Sequence, residues 1–378
     1  MLIEDRAKYI GMILSLSFSA LIIIQQSAIF VGLMMRTYSV ITDTSQAEIW
    51  VMDPNVKMID DITGLRDTDL YRVRSIDGVA WAVPMYKGII RARMPDGQFQ
   101  TCNLIGIDND TLIGGPHTMV HGSVTDLRGP DAIIVDSFGA DTKLAFSPAK
   151  GLPLQPLTVG NQLELNDLRA NVVGICRITR TFQTQPVIYT TYKRALAYTP
   201  YERKRLSFIL VKADGTTSVD QLCKRIDALT GFKSYTQKQF EWLTVNYYLQ
   251  NTGIPLNFGI AVLLGLLVGA VISAQIFYNF VRDNLKYLAV FSIMGATKKT
   301  LALMTLAQAL WVSLLGWGIG SGAAALLGFI TRNTELSFFL AWQIFIATGI
   351  IMILIALLAC FIAIRRIYRI ELGTVFQQ

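Results

Sequence analysis

The sequence predicts an α-helical membrane protein with four transmembrane helices and a large α+β extracytoplasmic domain inserted between helices 1 and 2. Of its 378 residues, 52% are hydrophobic and 16% are charged, and the mean hydropathy of +0.43 is too high for an ordinary soluble protein. Four stretches of about 20 residues or more lack Lys, Arg, Asp and Glu, so each is long enough to cross a hydrocarbon core of about 30 Å. The long segment between the first two stretches has the Pro and Gly punctuation of a folded domain.

These stretches divide the chain into nine segments. The transmembrane helices are predicted at 9–35, 254–281, 300–330 and 338–364. The segments between and around them are a cytoplasmic N-terminus at 1–8, a periplasmic domain at 36–253, a cytoplasmic segment at 282–299, a short external loop at 331–337 and a cytoplasmic tail at 365–378. The first apolar stretch is longer than the h-region of a secretory signal, and no A-x-A cleavage pattern follows it, so we expect a retained anchor.

The orientation follows from the distribution of the +7 net charge. Residues 36–253 carry 24 basic and 22 acidic residues and are therefore close to neutral. By the positive-inside rule, the short basic segments are cytoplasmic, so both termini lie inside and the large domain lies outside. Since the basic residues are spread over these segments, a nucleic-acid-binding interpretation has no cluster to support it. The basic residues in question are Arg6, Lys8, Arg282, Lys286, Lys298, Lys299, Arg365, Arg366 and Arg369.

The external domain alternates helical and strand patterns. A short helix is predicted in DTDLYRVRSIDG, and strands are predicted in VAWAVPMYKGIIRARM, QFQTCNLIGID, DAIIVD, RANVVGICRI, LSFILVKADG and FKSYTQKQF. A turn is predicted at Pro95–Gly97. Helical spacing of four apolar residues predicts a second helix that ends at Gly231: Val219, Leu222, Ile226 and Leu229. The β-α-β order of the last part predicts an α+β domain of two or more small lobes.

The four cysteines show no metal-binding spacing. Cys360 lies in a predicted span, which leaves Cys102, Cys176 and Cys223 in the external domain. If the compartment is an oxidising periplasm, a disulfide between Cys102 and Cys176 is a candidate, since both lie in strand-like segments. Buried free thiols are the alternative.

No motif for catalysis or for a cofactor is found. The sequence has no phosphate-binding G-x-x-x-x-G-K-[ST] loop and no G-x-S-x-G nucleophile elbow. His117 and His121 have the spacing of a helical metal pair, but the flanking Gly and Pro residues favour a loop and no zincin pattern follows. We therefore expect no catalytic residue, no metal and no cofactor in this chain.

Small and polar residues within the spans are expected to pack helices together. Glycines four residues apart predict close helix contacts: Gly265 with Gly269, Gly316 with Gly320, and Gly318 with Gly322. A few polar side chains would be costly facing lipid, so we expect them in the bundle, at a subunit interface or along a substrate route: Gln25, Gln26, Gln275, Asn279 and Gln308.

The segment RDNLKYLAVFSIMGATKKT joins the second and third spans. As a helix it has an apolar stripe of Tyr287, Val290, Phe291 and Met294, and Gly295 is expected to end it. Such a helix could lie on the membrane surface, but its broad apolar side suits a groove on a cytoplasmic partner better.

One span, a large external α+β insertion, three further spans and an R-[DE]-x-x…L-x-x-x-G-A loop after the second span resemble the FtsX-like, MacB-type permeases of ATP-binding cassette (ABC) systems. The resemblance implies that 282–299 is the coupling helix that docks on the ATPase subunit, with Asp283 where Glu is usual and Glu371 where the tail commonly has Pro. The candidate coupling residues are Arg282, Asp283, Tyr287, Leu288, Phe291, Met294, Gly295, Ala296, Lys298 and Lys299.

The stretches AEIWVMDP, VAWAVPMYKG, TLIGGP, LELND and ERKRLSFILVKA look like the DevC-type permeases within that family. This resemblance implies a homodimeric, non-catalytic permease of the bacterial inner membrane, with ATP and Mg on a partner ATPase. It also implies a periplasmic adaptor, an outer-membrane channel and export through the tripartite complex. Two alternatives stay open: extraction of lipoproteins from the membrane, and signalling to a cell-wall hydrolase.

Overall fold

A computed structural model describes residues 6–44, 46–61, 63–148, 152–200 and 205–368. The chain forms two compact units, one of Met1–Leu33 with Gly253–Gln378 and one of Met34–Thr252. The elements in chain order are α1 (Arg6–Thr37), α2 (Ser39–Asp43), β1 (Ile49–Met52), α3 (Asp69–Arg74), β2 (Val79–Arg93), β3 (Phe99–Ile107), β4 (Thr118–His121), β5 (Ala132–Asp136), α4 (Ser137–Asp141), β6 (Gln162–Leu165), β7 (Leu168–Arg177), β8 (Val187–Thr191), α5 (Tyr192–Tyr198), β9 (Phe208–Ala213), α6 (Val219–Thr230), β10 (Lys233–Thr236), α7 (Gln237–Asn251), α8 (Ile254–Asp283), α9 (Leu285–Ile293), α10 (Lys298–Ile330) and α11 (Trp342–Tyr368).

The first unit is a bundle of α1, α8, α10 and α11, which are the four helices in the described residues that are long and apolar enough to cross a membrane. All four contribute to one apolar core, in which Leu16, Phe277, Val312 and Ala356 are buried. The helix α11 packs against both α8 and α10. Each helix occurs where an apolar stretch predicts it, although the ends differ by a few residues.

The start of α11 lies four residues after its predicted position at residue 338. The helix begins at Trp342, and residues 336–341 before it form no regular secondary structure. The backbone N–H of Phe339 donates to the carbonyl of Ala28 over 3.1 Å, and Gly32 lies close to Ser337 and Phe339. This contact with α1 replaces the first helical turn that an apolar run alone would predict.

The second unit is an α/β domain around a ten-stranded sheet. Nine strands follow the order β10-β1-β9-β2-β3-β8-β5-β7-β4, and β6 pairs with β2 and β7. The long strand β2 pairs with β9 through Val79–Met85 and with β3 through Tyr86–Arg93. Two groups of strands therefore share β2 within one continuous sheet.

Each face of this sheet carries its own apolar core. The first face holds Leu104, Val135 and Leu222 from β3, β5 and α6. The second face holds a cluster of three aromatic rings from β1, β9 and α7, in which Trp50 lies 5.5 Å from both Phe208 and Phe240 between ring centroids. Aromatic pairs at this distance add about 0.5–1.5 kcal/mol each beyond the area they bury.

Most of the predicted turns, helices and strands in this domain are present. The turn at Pro95–Gly97 is present, and α6 ends at Gly231 with φ of +76°. The segment FKSYTQKQF, however, is a strand only to Thr236, and α7 begins at Gln237. A capping box explains the change, because the Thr236 hydroxyl accepts from the Gln239 N–H and the Gln239 side chain accepts from the Thr236 N–H.

The four cysteines are free and buried, so the candidate disulfide between Cys102 and Cys176 is not formed. Cys102 is on β3 and belongs to the first-face core, whereas Cys176 is on β7 and belongs to the second. Two strands, β8 and β5, separate β3 from β7 in the sheet. A disulfide needs Cα atoms within about 7 Å, and strands lie about 4.8 Å apart, so the pair is too distant.

Candidate functional site

The segment between α8 and α10 contains a short helix, α9, with a glycine-based turn after it. The N–H of Met294 donates to the carbonyl of Val290, and the N–H of Ala296 donates to that of Phe291, both over 3.0 Å. Between them Gly295 has φ of +98°, a left-handed conformation that glycine adopts without a steric cost. The Thr297 hydroxyl accepts from the Thr300 N–H and starts α10. The predicted coupling helix is thus shorter than 282–299, since α8 includes Asp283 and α10 begins at Lys298.

One face of α9 is apolar and exposed. Tyr287 is 62% exposed, and Met294, in the turn after the helix, is 69% exposed, with Val290 between them in the sequence and also exposed. Ile293 is 64% exposed and belongs to the same surface. We call these four residues, Tyr287, Val290, Ile293 and Met294, the exposed stripe.

Phe291 does not belong to the exposed stripe, although the sequence placed it there. It is partly buried and packs against the core of the four-helix bundle, as do Leu285 and Ala296. One side of α9 faces its own bundle, and sequence periodicity alone does not reveal which side. As a result Phe291 packs against the bundle and Ile293 takes its predicted place in the exposed stripe. The side chain of Leu288 lies outside the described part of the chain.

Basic residues flank the exposed stripe. Arg282, Lys286, Lys298 and Lys299 are all exposed. Asp283 accepts from Lys8 Nζ over 2.7 Å and from Arg282 Nε over 3.2 Å, so this carboxylate already contacts cations of its own chain. Sequence reasoning missed the contact with Lys8, because the two residues are far apart in the chain. An apolar helix face ringed by lysines is suited to a groove with an acidic rim on a partner protein.

The predicted packing glycines lie where other helices approach. A Cβ on Gly265 would come within 2.9 Å of Ile22 on α1, and one on Gly316 within 2.6 Å of Leu16. Gly269 and Gly320 likewise lie against α1. The hydroxyl of Ser19 donates to the Gly265 carbonyl over 2.6 Å, which also ties α1 to α8.

Gly318 and Gly322 differ from these four, because among the described residues no atom outside their own helix neighbourhood lies within 4 Å of a Cβ built on either. The predicted packing of this third pair is therefore not found within the chain. Of the polar residues in the helices, Gln275 is exposed, and Gln25, Gln26, Asn279 and Gln308 are partly buried.

The structure does not place the two histidines on one helix. His121 ends strand β4, and His117 lies in the irregular segment before that strand, so the predicted loop holds for His117 and not for His121. Within the described ranges, no group of three or more His, Cys, Asp and Glu residues is placed to hold a metal.

Comparison with known families matches both units of the chain. The family described as MacB-like periplasmic core domain matches residues 12–229, and the family described as FtsX-like permease C-terminal matches residues 259–372. Among curated proteins, none has a sequence that matches significantly.

Solved structures with similarity include the extracellular domain of the noncanonic ABC-type transporter YknZ from Gram-positive bacteria. It shares 15% identity and a TM-score of 0.33, over 50% of this chain and 98% of that one. The periplasmic region of MacB from Actinobacillus actinomycetemcomitans shares 16% identity and a TM-score of 0.36, over 56% of this chain and 96% of that one.

Four apolar helices and a large α/β domain define a membrane protein of the permease class. The chain belongs to the FtsX-like, MacB-type ABC permeases, as the matches over both units show. The predicted family is confirmed. Permeases of this family work with a cytoplasmic ABC ATPase.

Proposed function

We propose that this chain is the permease subunit of an ATP-driven exporter and that a separate ATPase subunit binds at α9. The observation that carries the proposal is the exposed stripe, which leaves Tyr287, Ile293 and Met294 more than 60% exposed on a short helix between α8 and α10. Large apolar side chains concentrated on one helix face favour a protein groove over water. Lys298 and Lys299 add positive charge beside that face.

In this proposal the chain does mechanical work and no bond chemistry. ATP and Mg bind the partner ATPase, and closure of that partner shifts α9 and, through it, α8 and α10. Two copies of the chain form the membrane part of the complex in the bacterial inner membrane, with α9 and both termini in the cytoplasm. The α/β domain lies in the periplasm, where it engages an adaptor protein and an outer-membrane channel. The DevC-like stretches of the sequence support this tripartite arrangement.

The first prediction tests the partner site. Replacing Tyr287 by Asp places a charge in the contact, and burying an unpaired carboxylate costs several kcal/mol. We expect the ATPase subunit to be lost from pull-downs and the ATPase activity of the reconstituted complex to fall to that of the free subunit. Leu336→Asp is the matched control, since Leu336 is 40% exposed but lies in the loop between α10 and α11.

Wild-type pull-down by Tyr287→Asp and Met294→Asp would contradict the proposal and favour a helix lying on the membrane surface. Phe291→Asp is a poor test, because the side chain packs against the bundle and its loss would damage the fold as well. Mass spectrometry of the complex isolated in mild detergent distinguishes the wider roles. An adaptor and an outer-membrane channel support export, a bound lipoprotein supports extraction, and a cell-wall hydrolase supports signalling.

A further inference from the structure

The α/β domain is joined to the helical bundle by two short connections. Only Tyr38 separates α1 from α2, and only Thr252 and Gly253 separate α7 from α8. Both α2 and α7 pack on the second face of the sheet, where Ile41 and Phe240 are fully buried in the same core. In the chain, α2 therefore follows α1 almost directly, and α8 follows α7 almost directly.

Residues 178–186, between β7 and β8, contact both α2 and α7. The carboxylate of Asp43, the last residue of α2, accepts from the Thr179 N–H over 2.7 Å and from the Thr179 hydroxyl over 3.1 Å. The ring of Phe182 packs on that of Tyr248 in α7, with 4.9 Å between centroids. We call residues 178–186 the clasp segment.

The clasp segment is itself fixed to the sheet. The Asn103 N–H of β3 donates to the Pro186 carbonyl over 2.8 Å, and the Thr184 N–H donates to the Thr181 carbonyl over 3.0 Å. Thr181 is also buried, with 8% of its surface exposed. The clasp segment is thus bonded to the sheet at Pro186 and closed by a turn of its own between Thr181 and Thr184.

A second attachment supports the α7 side. The Tyr248 hydroxyl donates to Asp60 Oδ2 over 3.3 Å, and the other oxygen of Asp60 accepts from the ammonium of Lys87 on β2. Lys87 is only 7% exposed. A buried ammonium is costly unless it is paired, so separating Asp60 from Lys87 would leave an unpaired buried charge. The contacts from Tyr248 through Asp60 to Lys87 therefore hold α7 to β2.

We propose that the clasp segment is a positioning element that makes the two connections move the sheet together, with Asp43, Thr179, Phe182 and Tyr248 as its contact residues. This inference rests on the proposed function, in which the ATPase moves the helices. The clasp segment would be the counterpart of α9 in the α/β domain: α9 receives the motion, and the clasp segment delivers it to the sheet. Its residues neither bind ATP nor touch the ATPase subunit.

The test is hydrogen–deuterium exchange on the complex of full-length permease and its ATPase, with and without ATP and vanadate. In the wild type we expect nucleotide to change exchange both in α9 and in the strands β2 and β9. In Asp43→Ala and in Phe182→Ala, the change in α9 should remain and the change in β2 and β9 should be lost.

Two variants serve as controls. Asp43→Asn keeps both bonds, because its carbonyl accepts from the Thr179 N–H and its amide donates to the hydroxyl, so it should behave as the wild type. Asn161→Ala removes a matched pair of bonds elsewhere in the domain, since Asn161 Oδ1 accepts from the Thr158 N–H over 2.7 Å and from its hydroxyl over 2.9 Å. It too should keep the nucleotide response.

The possible outcomes separate the two proposals. A wild type whose α9 does not respond to nucleotide contradicts the proposed function. If the wild type responds but β2 and β9 still respond in both Asp43→Ala and Phe182→Ala, the clasp inference is wrong. Slow hydrogen exchange in β5 without nucleotide checks that each variant is folded. Asp43→Ala removes the contact with α2 and Phe182→Ala removes the contact with α7, so the two variants test the inference independently.

Discussion

The direction of the backbone after α9 depends on the left-handed conformation of one residue, Gly295. Its φ of +98° lies in the left-handed region, where a β-branched residue is strained. We predict that Gly295→Val costs about 1–3 kcal/mol of local strain and weakens ATPase binding in pull-downs, because the exposed stripe changes its direction. Apart from Gly295 and its two chain neighbours, no described residue has an atom within 4 Å of a Cβ built there, so a clash does not explain the effect. Gly295→Asn, which tolerates this region better, should bind more nearly as the wild type; equal binding by Gly295→Val would contradict the argument.

Asp136 gives the α/β domain a pH-dependent contribution. Its carboxylate accepts from the Gly139 N–H over 2.7 Å and from the Val187 N–H over 2.6 Å. Burial raises its pKa, although these bonds and Arg180 act in the opposite direction. Since the native pKa lies above the unfolded value of about 3.9, the stability contributed by the protonated form is present below that pH and is lost as pH rises through the native pKa.

We therefore predict that the free-energy difference between wild type and Asp136→Asn changes with pH. The wild type should have its largest relative stability near pH 4 or below and should lose part of it toward neutral pH. The measurement is denaturant unfolding of the full chain in detergent, followed by tryptophan fluorescence, at several pH values. A difference that stays constant over this range would show that Asp136 has the same pKa in the folded and unfolded states.

The role of a single residue can be predicted from the sequence where backbone geometry decides that role. It cannot be predicted where tertiary packing decides it. The left-handed Gly295 and Gly231 could be predicted, because few residues other than glycine end a helix in that way. The exchange of Phe291 for Ile293 could not, since both fit a helical stripe and only the position of the bundle decides which side is covered.

At the scale of elements, helix α10 offers a matched pair of glycines. A Cβ on Gly320 would come within 2.7 Å of Ala20 Cβ on α1, whereas none of the described atoms outside its helix neighbourhood is that near Gly318. We predict that Gly320→Ala lowers the thermal stability of the detergent-solubilised protein, by about 1–3 kcal/mol as for overpacked cores. Gly318→Ala should leave it unchanged or slightly raised, as in an open helix position. Equal effects of the two substitutions would contradict the packing seen here.

Two elements differ from their predictions for physical reasons. The sequence FKSYTQKQF combines a strand pattern with Thr236 and Gln239, and the capping box ends the strand in favour of α7. The run from residue 338 is apolar enough for a helix, but Phe339 bonds to Ala28 of α1 and the helix begins only at Trp342. Local apolarity sets where a helix can form, and contacts distant in sequence set where it starts.

At the scale of the whole molecule, the four long helices and the separate α/β unit could be predicted from apolar length and composition. The clasp segment could not, because its contacts join Asp43 to Thr179 and Phe182 to Tyr248 across long stretches of chain. The strand order could not be predicted either, since strands distant in sequence are neighbours in the sheet.

The orientation of the molecule in the membrane is the last prediction. The segments bearing Lys8, Lys286 and Lys298 are rich in basic residues, and the turn between α10 and α11 carries only Arg332, so the positive-inside rule places α9 in the cytoplasm. Alkaline phosphatase, which is active only outside the cytoplasm, should be active when fused at Met58 or Asn333. Green fluorescent protein should fluoresce when fused at Gly295 or Gln378.

Each fusion site also carries the opposite reporter as its control, so that a silent fusion is distinguished from an unstable one. Phosphatase activity at Gly295 would place α9 outside and exclude a cytoplasmic ATPase as its partner. Fluorescence at Met58 would place the α/β domain in the cytoplasm and contradict the engagement of a periplasmic adaptor. Since α9 and the α/β domain are joined by one helix, α8, that spans the membrane once, the two results must agree with each other.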